Sequence, residues 1–162
     1  MIILGIDPGT ATMGYGIIKK EGMDLICLEY GLIQTKSGLD DSKRLKKIDE
    51  NLEKIFNEFN PDALAIEKVY FSKNVKTAMT VSQAKGIVML KAAKNNIDVY
   101  EFTPSQIKAT VAGHGKAKKM QVQKMIKSQL KLKERPRPND AADALGAAIC
   151  GSQKIKRDSL TL

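Results

Sequence analysis

MIILGIDPGTATMGYGIIKKEGMDLICLEYGLIQ, residues 1–34, decides the fold. MIILGID is a continuous apolar run ending on Asp7, which reads as a buried strand. PGTATMG supplies turn residues, and YGIIKK is strand-like again, so the two runs form a hairpin. MDLICLEYGLIQ is rich in Leu, Ile and Tyr and long enough for a third strand. The links are too short for a crossover helix, so the three strands form an antiparallel meander.

Outward from this meander, Leu45, Ile48, Leu52, Ile55, Phe56 and Phe59 recur at helical spacing between charged residues, which predicts an amphipathic helix over residues 40–60. Pro61 ends it, and DALAIE is a short buried strand terminating on Glu67. Residues 74–95 read as a helix, IDVYEF as a strand, and PSQIKATV as a short helix with proline in its first turn. The Gly- and Lys-rich loop AGHGKAKK follows, then a helix with Val122, Met125, Ile126 and Leu130 on one face, closed by the proline-broken KLKERPRP. Asn139 is the expected N-cap of a last helix, DAADALGAAIC, expected to stop at Gly151. The pattern predicts an α/β fold: a five-stranded mixed sheet, antiparallel meander then parallel strands, flanked by helices on both faces. A single domain over residues 1–151 and a polar, frayed tail over 152–162 complete the expected organisation.

At 162 residues the chain suits one core and excludes a large multidomain machine. No run approaches the roughly 20 apolar residues of a membrane span, and Met1 leads into a strand without a basic leader, so a cytoplasmic location and no membrane partner are expected. Cys27 and Cys150 lack a C-x-x-C spacing and read as free thiols of a reducing compartment. The net charge of +9 fits an acidic polymer as partner or simple solubility, but residues 101–140 hold ten basic and three acidic side chains, +7 of the total.

Four carboxylates stand where stability alone would not put them. Asp7 and Glu67 end apolar strands, and Asp140 and Asp143, three apart, share one face of an alanine-rich helix. The rest of that face is Ala, Leu and Ile, so packing on the sheet carries both aspartates toward the strand ends. Such a cluster is costly without a cation, because like charges raise one another's pKa. Oxygen-only ligands favour Mg²⁺ or Mn²⁺ over zinc, and a pair of such ions near phosphates suits phosphodiester hydrolysis. Each acid also has a bland reading: Asp140 complements a helix dipole, Asp7 is a turn acid before Pro-Gly, and Glu67 is an exposed strand end. The joint pattern is stronger than any member.

GIDPGTATMGYGII, AIEKVYFSKNVKTAMTVSQAKG, TPSQIKATVAGHGKAKKMQVQKMI and PNDAADALGAAI, in that order and along nearly the whole chain, resemble the RuvC-type Holliday-junction resolvases. The first motif alone is shared with actin-like ATPases and sugar kinases; the four together are specific. The resemblance implies a ribonuclease-H-like fold, a homodimer, and Mg²⁺-dependent nicking of two opposed strands at a four-way DNA junction. Mn²⁺ is expected to substitute, with two ions per active site, and a branch-migration helicase complex is an expected partner. The family's catalytic, metal-binding carboxylates fall on Asp7, Glu67, Asp140 and Asp143, and some members carry His where this chain has Asp140. Tyr70 matches an aromatic that stacks near the junction centre, and Lys108 and Lys119 match lysines that approach DNA. Lys73, Lys116 and Lys118 join them as expected DNA contacts. Lys68 and His114 depart from the residues common at their positions, and neither is a proposed metal ligand.

Other features carry two readings each. His114, between two glycines, is expected to be a solvated loop residue rather than a base. Lys116, Lys118 and Lys119 suit phosphate contacts or a solvated face. Of Tyr70 and Phe71, one is expected in the core and one exposed. The small and apolar residues of 74–95 fit deep burial or a dimer contact. Two other functions compete with the nuclease. An ATP-dependent phosphotransferase is disfavoured by length, since it needs a second large lobe. A non-catalytic junction binder leaves the acidic cluster as an unexplained repulsion.

Overall fold

The computed structural model describes residues 1–69 and 74–159. Five strands, β1 (Ile2–Asp7), β2 (Thr12–Glu21), β3 (Asp24–Gln34), β4 (Ala63–Glu67) and β5 (Asp98–Phe102), form one sheet in the order β3-β2-β1-β4-β5. The first three make the antiparallel meander, and β4 and β5 add in parallel beside β1. The helices are α1 (Asp41–Phe59), α2 (Val75–Lys94), α3 (Pro104–Ala112), α4 (Lys119–Gln129) and α5 (Asn139–Ser159). This is the expected ribonuclease-H-like α/β architecture.

The twofold alternation of a strand sorts the core. Leu4, Ile6, Leu64 and Ile66 point to one face, where Ile48, Leu52 and Phe56 of α1 and Ala84, Val88 and Ala92 of α2 cover them. Ile3, Ala63 and Ala65 point to the other, under Leu145 and Ala148 of α5, Ile107 of α3 and Ile126 of α4. Asn60 closes α1 in the left-handed conformation, and Pro61 follows it. Lys91 of α2, nearly buried, ties the two helices by ion pairs to Asp49 at 2.8 Å and to Glu53.

Three sequence expectations need correction. β2 begins at Thr12, inside the stretch read as a turn, because Pro8 to Ala11 suffice to reverse the chain. Asn139 is the first residue of α5 rather than its cap, and its side chain accepts from Gln123 Nε2 at 2.8 Å. Gly151 does not stop α5, which runs on to Ser159 through much of the expected polar tail. The glycine serves packing instead: a Cβ there would lie 3.0 Å from Ala65 Cβ and 3.3 Å from Ile3 Cγ2. Beyond it Ser152 is buried, with its carbonyl accepting from Lys20 Nζ, and Ile155 packs on the core. Both cysteines are free thiols.

Candidate active site

Alternation along β1 and β4 puts Asp7 with Ile3 and Glu67 with Ala63 and Ala65, on the face that α5 covers. The strands are adjacent and parallel, and their ladder ends on the pair Ile6 with Ile66, so both acids emerge at the same sheet edge, one step further on. α5 starts above that edge, with Asp140 and Asp143 in its first turns. The helix lies on the sheet almost without spacing. A Cβ on Gly5 would sit 2.0 Å from the Ala144 carbonyl oxygen, and one on Gly14 2.0 Å from that of Asp140. Gly14 is also the cross-strand partner of Asp7. Strand glycines thus bring the start of α5 down onto the end of β1.

The outcome is a cluster in which one carboxylate oxygen each from Asp7, Asp140 and Asp143 lie within 4.8 Å of one another. Glu67 stands outside that triangle but is coupled to it: its charge helps push up the Asp7 carboxyl, and Asp143 helps push up its own. Asp7 is raised to about 8, chiefly by burial, then by repulsion from Glu67, Asp143 and Asp140. Glu67 is raised to about 7, again chiefly by burial. Asp143 is raised by burial against the opposing pull of Lys119, whose Nζ lies 3.4 Å from Asp143 Oδ2. Lys108 also favours the charged forms of Glu67 and Asp143.

Two lysines therefore leave the acids under-compensated. Only oxygen donors are present in the triangle, so the residues fit a hard divalent cation of the Mg²⁺ or Mn²⁺ type. Beside the cluster opens a cleft of about 240 Å³ lined by Glu67, Asp143, Lys108 and Lys119, with Ile107 and Val122 among its apolar walls. Its shape and charge suit an anionic group next to the carboxylates.

Of the expected DNA contacts, Lys108 and Lys119 line this cleft. Lys116 and Lys118 are exposed on the link from α3 to α4, which buried Ala117 pins to the core. Gly115 packs on Ser105, whose Oγ would lie 2.4 Å from an added Cβ. His114 is exposed. Tyr70, Phe71 and Lys73 lie outside the described residues. The sequence reading assigned no role to Gly5 and Gly14; small residues on consecutive strands beneath an alanine-rich helix were the available signal.

Residues 3–151 match the family profile described as crossover junction endodeoxyribonuclease RuvC. The chain is 50% identical to the protein of that name from Natranaerobius thermophilus, over 96% of this chain and 97% of the relative. It is 49% identical to the one from Ruminiclostridium cellulolyticum, over 99% and 96%. Among solved structures, Thermus thermophilus RuvC in complex with a Holliday junction substrate superposes with a TM-score of 0.92 at 31% identity, covering 98% of this chain and 96% of that one. The yeast mitochondrial Holliday junction resolvase, at 14% identity and a TM-score of 0.64 over 96% and 82%, shares the fold. A profile match running from β1 into α5 takes in both strands and the helix that supply the four carboxylates, and with relatives matched along nearly their whole length it places the chain in the RuvC family of crossover junction endodeoxyribonucleases.

Proposed function

We propose that the protein resolves four-way DNA junctions by paired, metal-dependent phosphodiester hydrolysis, with Asp7, Glu67, Asp140 and Asp143 as the catalytic carboxylates. The observation that carries this reading is the convergence of Asp7, Asp140 and Asp143 within 4.8 Å beside a lysine-lined cleft. A non-catalytic DNA binder has no use for clustered, partly buried acids that repel phosphates, and a nuclease does.

The four carboxylates would hold Mg²⁺ or Mn²⁺, two ions per site. When bound, such ions neutralise the acids, activate water and stabilise the leaving oxygen. Lys119 and Lys108 favour the ionised forms of Glu67 and Asp143 against the burial that raises both, and hold phosphate oxygens at the mouth of the cleft. Ile107 and Val122 give it apolar walls, which strengthen charge interactions beside them relative to open water. Lys116 and Lys118, on the adjoining link, approach the backbone of the bound arm, and Tyr70, by its match to the family, and Lys73 are further candidate DNA contacts.

Among the described residues one chain offers one such carboxylate cluster, so paired nicks call for two copies. α2 carries the surface for it: Val75, Met79 and Leu90 are exposed at 60%, 58% and 52%, and their spacing puts them on one helical face. A branch-migration helicase complex as a further partner agrees with this reading. A nicking assay on four-way and linear duplexes, with and without Mg²⁺, tests it. Cation-dependent cuts confined to the junction are expected. A protein that binds the junction and leaves it intact in Mg²⁺ and in Mn²⁺ would be an architectural binder instead.

A further inference from the structure

A second concentration of charge lies away from the cleft, on the connection from α4 to α5. Leu130 and Pro136 are buried and Leu132 packs against the core, which pins this segment at three points and turns Lys133 and Arg137 outward. Lys127, Lys133, Glu134, Arg135 and Arg137 line a groove of about 330 Å³. Arg135 and Arg137 also line a second, shallower groove of about 610 Å³, completed by Met120, Gln123, Pro138 and Asn139. The hydrogen bond from Gln123 to Asn139 joins its two walls. Met120 follows Lys119 and Asn139 precedes Asp140, so this second groove ends at the rim of the carboxylate cluster. The two grooves share Arg135 and Arg137 and so lie side by side.

The charge along this path is uncompensated. Lys43 pairs with Asp40, Lys46 with Glu50, Lys91 with Asp49 and Glu53, and the neighbouring Lys131 with Asp24 at 3.1 Å. Among the described residues no carboxylate pairs with Lys127, Lys133, Arg135 or Arg137. Four cations with a single acid, Glu134, between them repel one another, and a polyanion relieves that repulsion. Arginine forks match phosphate oxygens in pairs. An elongated groove that begins beside a site for a phosphodiester suits a nucleic-acid backbone better than a compact anion.

We propose that the grooves between α4 and α5 form a phosphate-backbone track, centred on Arg135 and Arg137, that carries the DNA arm leaving the carboxylate cleft. This rests on the reading of the cleft as the site of DNA cleavage. The track adds affinity and orientation to one arm and touches no reacting atom.

The test measures junction and linear-duplex binding over a range of salt concentrations. The variants are Lys127→Gln/Lys133→Gln/Arg135→Gln/Arg137→Gln, the milder Lys133→Gln/Arg137→Gln on exposed side chains, and a control of equal charge, Lys43→Gln/Lys46→Gln/Lys47→Gln/Lys54→Gln on α1. Counterion release gives a slope of about −0.9 in log K against log salt per phosphate contact, so the fourfold variant should flatten the slope by about 3 to 4 units and the double variant by about 2. The α1 control should keep the wild-type slope. Slopes equal to that of the α1 control in both track variants would overturn the proposal. A wild-type protein that nicks no junction would instead overturn the parent reading, and the slope on linear duplex would still decide the track.

Discussion

Gly14 and Asp140 touch backbone to backbone, closely enough that a Cβ on the glycine would lie 2.0 Å from the aspartate's carbonyl oxygen. Gly14 is at the same time the partner of Asp7 across the β1–β2 ladder. One missing side chain therefore sets the separation of two carboxylates that come from opposite ends of the chain.

Gly14→Ala should lift the start of α5. Overpacking of this kind costs about 1–3 kcal/mol, which thermal unfolding will register. Gly5→Ala meets the same helix further along, at the Ala144 carbonyl, and should cost a similar amount. Displacement of a catalytic group by an ångström costs roughly 100-fold in rate, so cleavage by the Gly14 variant should fall far more than by the Gly5 variant at a temperature where both are folded. Equal losses in the two would assign both glycines to stability alone.

The acids also predict how stability responds to pH. Asp7 and Glu67 are raised from 3.8 and 4.5 to about 8 and about 7, so the folded protein holds protons that the unfolded chain has released. Their contribution is full below about pH 4 and is lost as pH rises through about 7 to 8. A divalent cation reverses the loss by binding the ionised acids. The rise in Tm on adding Mg²⁺ should therefore be small near about pH 5 and large near about pH 8. Calorimetry at the two pH values checks this, and an equal rise at both would contradict it.

Met79 and Ile87 of α2 separate surface from core. Met79 is 58% exposed, whereas Ile87 packs against the cluster under α1 and α2. Met79→Glu should give a folded monomer by sedimentation and circular dichroism. Ile87→Glu should destabilise the fold, because it sets a charge against that apolar cluster. A Met79→Glu protein that remains dimeric would move the interface off α2.

Strand and helix order, and the convergence of Asp7 with Asp140 and Asp143, were legible because apolar periodicity states which side of an element is buried. Periodicity also explains why the residues of α2 were ambiguous: Ala78, Ala84 and Val88 form its buried side while Val75, Met79 and Leu90 make a second apolar stripe. Only the packing partners decide between them, and Ile87, partly buried, packs against the margin of the core. Gly151 misled for a related reason. A helix-ending glycine and a glycine on which strands press closely look alike in sequence, and Ile3 and Ala65, far away along the chain, make the difference. The groove between α4 and α5 was visible only as a basic, proline-broken stretch, since the pairing or isolation of each cation is a property of the folded surface.

The most direct measurement compares wild type with Asp7→Asn on a four-way junction in Mg²⁺, following binding and nicking on the same samples. The substitution keeps the shape of the side chain and removes one charge from the acids that converge with Asp140 and Asp143. Junction binding should persist or tighten, because repulsion of phosphates is reduced. Nicking should fall at least about 100-fold, equivalent to about 2.7 kcal/mol of barrier. An Asp7→Asn protein that nicks the junction at the wild-type rate would contradict the assignment of the carboxylate cluster as the site of cleavage.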